Sequence, residues 1–380
     1  MNKKKIPSAG PSITELEIEL VNDAMKLGWY DNRNMHIDQF VDEFSSIIKK
    51  KYILPVNSCT AAIHLSLLVL DVSRGDEIIV PDITWVASAS PILYCGAKPV
   101  FCDIDKKNWC IDPRSFEDSI TKKTKAVIVV DLYGNMPDYS SIKSIAKKHN
   151  IVIIEDAAES LGAFLNEKPA GHFGDISVFS FNATKIAIAG QGGVFATDDE
   201  NLYQKAKNLH HHGMAKYTDK TTFWSLELGF NYQWTNIQAA LALAQIRRLD
   251  ELVRQRRQIF KWYYNRLKDV PGIQLNSEEK NVRNTYWVVS AIISKNYDLK
   301  KENFINLFSK KNIDSRPFFY PVSSMPTFEK FVNKKTIKKK NPISYDISPY
   351  GISFPSAANL NEDQVNYVCD IFIKFFDLKN

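Results

Sequence analysis

IVIIEDAAESLGAFLNEKPAGHFGDISVFSFNATKIAIAGQGGVFAT, residues 151–197, decides how the rest of the chain is read. The apolar run 151–154 is short enough for a fully buried strand and ends on two acids, Glu155 and Asp156. A second β-rich run, 176–181, is followed by Lys185. Then come Gly190, Gln191, Gly192 and Gly193, which allow a tight backbone, and a third strand over 194–197. The spacing of 29 residues between Asp156 and Lys185 fits two adjacent sheet strands with a hairpin-like excursion between them. A carboxylate at one strand end and a lysine just past another suit a ligand with a protonatable ring and an aldehyde.

The flanking sequence repeats the strand pattern. Residues 52–56 read as a strand that passes through Asn57, Ser58, Cys59 and Thr60 into a helix ending at Leu70. The free N–H groups and positive end of such a helix welcome a phosphate, although Ser58 or Thr60 serves equally as an ordinary N-cap. Strands over 77–80, 98–103 and 126–130 alternate with helices over 84–93 and 140–149. This alternation predicts an α/β fold with a largely parallel sheet and sites at the strand C-terminal ends. No GxGxxG follows the first strand, so a dinucleotide fold is not supported.

Upstream, helices are expected over 12–27, stopped by Gly28, and over 37–50. Between them lies a polar, aromatic loop, 29–34, whose Trp29, Tyr30 and Arg33 suit either a ligand contact or a plain connector. Downstream, helices are expected over 201–210 and 236–267, the second long, arginine-rich in its middle and of a length that bridges domains. From about residue 270 strands around 286–293 and helices over 301–311 and 361–376 predict a smaller C-terminal α+β domain. The expected division is a large domain over 11–245 and a small one over 246–380, to which the N-terminal helix adds.

Composition narrows the classes. Of 380 residues, 44% are hydrophobic and 24% charged, the balance of an ordinary globular protein. The basic N-terminus is not followed by an apolar stretch, and no run approaches a membrane span, so neither export nor membrane insertion is expected. Five scattered cysteines without a CxxC pair read as reduced cytosolic thiols and not as a metal site, which places the protein in the cytoplasm. The net charge of +6 is mild, and the lysine-rich run 334–340 reads as a solvated loop with no nucleic-acid motif beside it.

Pyridoxal phosphate (PLP) needs an amine for its aldehyde, an acid beside its pyridine nitrogen, an anion cradle and a ring over its face. Lys185 is the candidate amine, held as a Schiff base, and Asp156 the candidate acid that keeps the ring nitrogen protonated. Cys59 and Thr60, with Ser180, are candidates for the phosphate, and Trp85 for stacking on the ring. Taken singly, each has a plainer role: a surface lysine, a buried structural carboxylate, a core aromatic, a hydroxyl satisfied within a sheet. Taken together and in this order, the cofactor site is the better reading.

VNSCTAAIHLSLLVL, GDEIIVPDITWVASASPILYCGAKPVFCDID, DLYGNMPD, IEDAAESLGA, GDISVFSFNATK and GFNYQWTNIQAALALAQIRRLDE resemble the DegT/DnrJ/EryC1/StrS family of fold-type-I, PLP-dependent sugar aminotransferases. The resemblance runs from about Pro11 to PSAANLNEDQV near the C-terminus. IEDAAES, DSRPFFYPVSSMPTFEK and NTYWVV are most similar to GDP-perosamine synthases and related nucleotide-sugar 4-aminotransferases. It implies that Lys185 bonds the cofactor and then shuttles protons, that Glu159 sits near the cofactor's phenolic oxygen, and that Asn231 reaches the phosphate from a second subunit of a homodimer with shared active sites. L-glutamate would donate the amine, leaving 2-oxoglutarate, and a nucleotide-linked keto sugar would receive it, for surface-glycan biosynthesis. Arg316, Tyr320, Ser323 and the 29–34 loop become candidate sugar-nucleotide contacts.

Three places depart from the family pattern. Its GEGG is Gly190, Gln191, Gly192, Gly193 here, its N-Y-R is Asn231, Tyr232, Gln233, and the loop usually bearing Ser and Gly is Tyr30, Asp31, Asn32, Arg33, Asn34. The loop leaves the acceptor open: sugar C4, sugar C3 or a non-sugar ketone. Sister sugar 3-dehydratases carry histidine at the lysine position, so Lys185 argues against that chemistry. A non-catalytic binding or regulatory descendant would not need Asp156, Ser180 and Lys185 together.

Overall fold

The computed structural model describes residues 5–214 and 222–377. Its strands are β1 (Tyr52–Val56), β2 (Glu77–Pro81), β3 (Lys98–Cys102), β4 (Thr124–Val130), β5 (Val152–Asp156), the two-residue β6 (Phe164–Leu165) and β7 (Lys168–Pro169), β8 (Ile176–Ser180) and β9 (Gly193–Thr197). Seven of these form one sheet in the order β1-β9-β8-β5-β4-β2-β3. All neighbours from β3 to β8 pair in parallel, and only β9 runs against its two neighbours. Strands such as AVIVV in β4 and EIIVP in β2 are near-continuously apolar because both sheet faces are covered. β5 and β8 are adjacent and parallel, and the excursion between them carries the β6–β7 hairpin, as the Asp156–Lys185 spacing predicts.

The helices are α1 (Glu15–Leu27), α2 (Met35–Ile48), α3 (Cys59–Val69), α4 (Ser90–Tyr94), α5 (Pro113–Asp118), α6 (Tyr139–His149), α7 (Glu200–His210), α8 (Asn236–Arg247), α9 (Leu249–Leu267), α10 (Lys301–Ser309), α11 (Ile337–Lys340), α12 (Pro342–Ile347) and α13 (Glu362–Asp377). Three expectations are corrected. The helix expected over 84–93 is a 3-10 turn, Val86–Ser88, followed by the short α4, because Pro91 has no N–H to continue a ladder and starts a new helix instead. The helix expected over 236–267 breaks at Arg248 (φ −103°, ψ 13°), where buried Glu17 accepts from both Gln245 (2.7 Å) and Arg248 (2.7 Å). The lysine run expected as a loop contains one helical turn, α11, with its lysines exposed and Ile337 buried.

Four further strands, β10 (Ile273–Leu275), β12 (Ser290–Ile293), β13 (Arg316–Pro317) and β14 (Gly351–Ser353), form an antiparallel sheet in the order β10-β12-β14-β13. The intervening β11 (Val282–Arg283) instead extends the β6–β7 hairpin. Two hydrophobic clusters result. One packs both faces of the large sheet; the other joins Tyr263, Phe304, Phe308, Phe354 and Phe372 over the small sheet. α9 divides its apolar residues, Leu252 and Val253 entering the first cluster and Ile259, Tyr263 and Leu267 the second. The N-terminus does likewise: Ile6 bridges to Ile313 and joins the second cluster, while α1 packs on α8.

Candidate active site

Every candidate cofactor residue except Asn231 comes from one edge of the large sheet, where the parallel strands end and the antiparallel β9 begins. Asp156 closes β5, and its Oδ2 accepts from the Ser88 hydroxyl (2.8 Å), its Oδ1 from the Ala158 N–H (3.2 Å). The Cys59 thiol lies 3.9 Å from Oδ1. Burial pushes Asp156 above the usual carboxylate range, against the pull of Ser88, Ala158, the Lys185 charge and Cys59. Glu159, one turn on, is raised by burial too, opposed by the Lys185 charge and by the Tyr133 N–H, which donates to it at 2.8 Å.

Lys185 follows β8 and points into this acidic floor. Its Nζ is 3.4 Å from Glu159 Oε1 and stands 3.8 Å over the centre of the Trp287 ring. Trp287 is itself fixed by its Nε1–H, which donates to the Thr184 carbonyl (2.8 Å). The Tyr133 ring lies against both Trp287 (6.4 Å) and Phe319 (5.2 Å), and its backbone takes a left-handed φ of 54° in the turn after β4. Trp85 is 60% exposed and meets Phe319 at a tilt (6.2 Å between ring centres), so its ring is open to a ligand.

The anion cradle is assembled from three strands' ends. Ser58 is the N-cap of α3, accepting from Ala61 N–H (3.1 Å), which leaves the Cys59 and Thr60 N–H groups as first-turn donors without helical acceptors. Gly193 is the register partner of Ser180, and a Cβ on Gly193 would come within 2.4 Å of Cys59 N. The missing side chain lets β9 close against the helix start and brings Ser180 to it. Asn231 belongs to the same end only by its backbone: its carbonyl accepts from Asn57 Nδ2 (3.2 Å), while the side chain is exposed.

The candidate sugar contacts divide. Arg316, in β13, is close enough for its charge to act on the buried Tyr133 hydroxyl, and Tyr320 is 44% exposed. Ser323 is buried and its N–H and hydroxyl both donate to Asp82 (2.8 and 2.7 Å), so it is committed to a structural network. Trp29, Tyr30 and Arg33 are exposed on a 3-10 turn beside the start of α8. Gln191 is there as well, its carbonyl held by Gln238 (3.0 Å), so the departing loop and glycine segment meet at one helix start. The Gln191 and Gln233 side chains are both exposed.

Four contributors escape a reading of the sequence: Ser88, Tyr133, Trp287 and Phe319. Only Ser88 carried a local signal, as a hydroxyl three residues past Trp85 in a turn after a strand. A wider surface cleft of 760 Å³ between Phe164 and Arg283 holds none of these groups.

The set fits PLP. A buried carboxylate, a lysine amine over the same acidic floor, a donor-rich helix start and an open aromatic face are the four features that group requires. The family model described as the DegT/DnrJ/EryC1/StrS aminotransferase family matches residues 11–373. A GDP-perosamine synthase of Escherichia coli O157:H7 is 37% identical over 99% of this chain and 100% of its own. One of Vibrio cholerae is 33% identical over 98% and 99%. A putative sugar aminotransferase from Streptococcus pneumoniae, solved in its PLP-form, superposes with a TM-score of 0.90 at 27% identity, over 99% of this chain and 100% of that one. The cofactor is pyridoxal phosphate.

Proposed function

The chain belongs to the DegT/DnrJ/EryC1/StrS aminotransferase family, and from that premise we propose that it moves the amino group of L-glutamate to the C4 keto carbon of a nucleotide-linked 4-keto-6-deoxyhexose. The observation that carries this is Lys185 between Glu159 and Trp287, in a chain that matches GDP-perosamine synthases along its whole length. A role in lipopolysaccharide O-antigen synthesis is part of the same proposal.

When bound, the cofactor supplies an aldehyde that receives the amine and a ring that withdraws electrons. The chain's own groups do the rest. Asp156 would serve as counter-ion to a protonated ring nitrogen, with the Ser88 hydroxyl donating to its Oδ2. Lys185 Nζ would be the base that takes up and returns the substrate's proton, and Glu159 and the Trp287 face hold that amine in place. The α3 start and Ser180 would hold the phosphate, and Trp85 would cover the ring.

A homodimer with shared sites belongs to the same proposal. Phe223 (83% exposed), Trp224, Leu226 and Leu228 (87% exposed) present apolar surface, and the exposed Asn231 side chain follows them. A cytoplasmic location is supported by five unpaired cysteines. Among the described residues no helix is long and apolar enough to cross a membrane.

The test is colour and turnover. Purified protein should be yellow, bleach with L-glutamate, and recover colour with one member of a panel of GDP-, dTDP- and UDP-linked keto sugars as 2-oxoglutarate is released. Lys185→Ala should abolish both changes. Bleaching without recovery on any sugar would sink the sugar reading and leave the aminotransferase standing.

A further inference from the structure

Lys301 begins α10, outside the cofactor site, and only 1% of it is exposed. No carboxylate of the described residues comes within ion-pair distance of its ammonium. Instead Nζ donates to the Phe318 carbonyl (2.9 Å) and to Ser348 Oγ (3.2 Å), and lies 3.5 Å over the centre of the Tyr320 ring. Ser348 in turn donates to the Phe319 carbonyl (2.7 Å), so two consecutive carbonyls are held from the same side.

Those carbonyls belong to a strap, 316–322, that crosses from the small sheet to the large one. Its opposite side faces the site: the Phe319 N–H donates to the Tyr133 hydroxyl (3.2 Å), and the Phe319 ring contacts Tyr133 and Trp85. The far end is tied by the Val322 N–H to the Asp82 carbonyl (2.7 Å). Tyr133 continues the connection through its own N–H to Glu159, the acid beside Lys185. We propose that Lys301 is a positioning residue that pins this strap and so fixes Phe319, the wall against which the carbonyl substrate is held. The proposal rests on the aminotransferase reading above.

A buried cation without a counter-charge weakens a fold, and burial pushes Lys301 down to about 8, with Glu302 on its own helix acting against the shift. Other titratable groups nearby are the Tyr320 phenol and Arg316 on the strap, Tyr350 on the turn that carries Ser348, and Tyr345 and Asp346 of α12, the last occupied by Lys295 (2.6 Å). A lysine kept only for stability would be better replaced by an apolar chain of its shape.

Lys301→Met in the holoenzyme separates the two roles. The expected result is an unchanged or higher Tm, unchanged bleaching by L-glutamate, and a keto-sugar concentration for half-maximal recolouring raised about tenfold, as losing a charged hydrogen bond and a ring contact predicts. Amide hydrogen exchange of Phe318 and Phe319, read by mass spectrometry without substrate, should quicken by a similar factor. Ser348→Ala, which removes only the second pin, should move both readouts in the same direction by less. A lower Tm with both half-reactions slowed in proportion would reduce Lys301 to a structural role. Unchanged exchange in both variants would remove the clamp altogether. If wild-type protein recolours with no keto sugar, the substrate reading fails, and the exchange rates alone decide the clamp.

Discussion

At Asp156 the protein keeps a carboxylate where water barely reaches and offers it one hydroxyl, one N–H and a distant ammonium. Because burial raises its folded pKa above the unfolded value, the native state binds a proton between those two values that the unfolded chain has lost. Cofactor-free stability therefore falls as pH rises through that window and stays lower above it. Asp156→Asn should raise the Tm of the cofactor-free protein at pH 7 while weakening PLP binding at least about tenfold, since the ring nitrogen loses its counter-ion. A lower Tm would show that Asp156 is held for structure. Ser88→Ala acts on the other side of the same bond. A hydrogen bond to a charged group is worth about 1.5–3 kcal/mol, so PLP affinity, titrated by visible absorbance, should drop about 10- to 100-fold. Unchanged affinity would mean that Ser88 does not orient the acid.

At the scale of elements, Glu155 shows why two adjacent acids have different fates. Side chains alternate along a strand, so Asp156 faces the site and Glu155 turns away from it, into the excursion after β5. There it accepts from the N–H groups of Gly171 (2.6 Å), Phe173 (2.8 Å) and Gly174 (2.8 Å) and from Ser177 Oγ (3.0 Å). Glu155→Ala strands several buried donors and should cost about 3 kcal/mol or more in urea unfolding of the cofactor-free protein. The α8–α9 junction depends on the opposite kind of carboxylate. Glu17 is lowered: burial works to raise it, but Thr14, Arg248 and Gln245 outweigh burial. Its stabilising contribution is present above the ordinary carboxylate pKa and lost as pH falls through the lower folded value. Arg248→Ala should therefore cost about 3 kcal/mol at pH 7 and progressively less in acid; an equal loss at both pH values would exclude this ion pair as the cause. These elements also mark what could be read beforehand. β1, β5 and β8 were legible because a buried parallel strand is a short apolar run with a polar end, and the Asp156–Lys185 spacing followed from it. The break at Arg248 was not, because its partner Glu17 is 231 residues away. Ser88 and Asp156 are 68 apart, and Phe319 and Tyr133 are 186 apart, so no local pattern joins them.

For the molecule as a whole, the unresolved demand is the apolar surface that one chain leaves uncovered. Phe223, Trp224, Leu226 and Leu228 occur together in a short stretch anchored by the Leu226 N–H to the Gly213 carbonyl (2.8 Å) and by a bridge between Met214 and Ser225. Burying a large apolar side chain is worth about 1.5–3 kcal/mol, and soluble monomers rarely leave several such groups contiguous in water. The stretch leads directly to Asn231, whose backbone packs beside Asn57 while its side chain points outward. In the proposed homodimer the apolar residues are covered by the second copy and Asn231 is delivered to that copy's phosphate cradle. Replacing Leu226 and Leu228 together by Asp places two charges in that contact, where desolvation is costly, without touching a buried residue of the single chain. Sedimentation equilibrium should then change from dimer to monomer while the circular dichroism spectrum is kept. PLP affinity should fall along with dimer content, and Asn231→Ala should lower affinity while leaving the dimer intact. A monomeric double variant that binds PLP as tightly as wild type would show that each chain completes its own cradle.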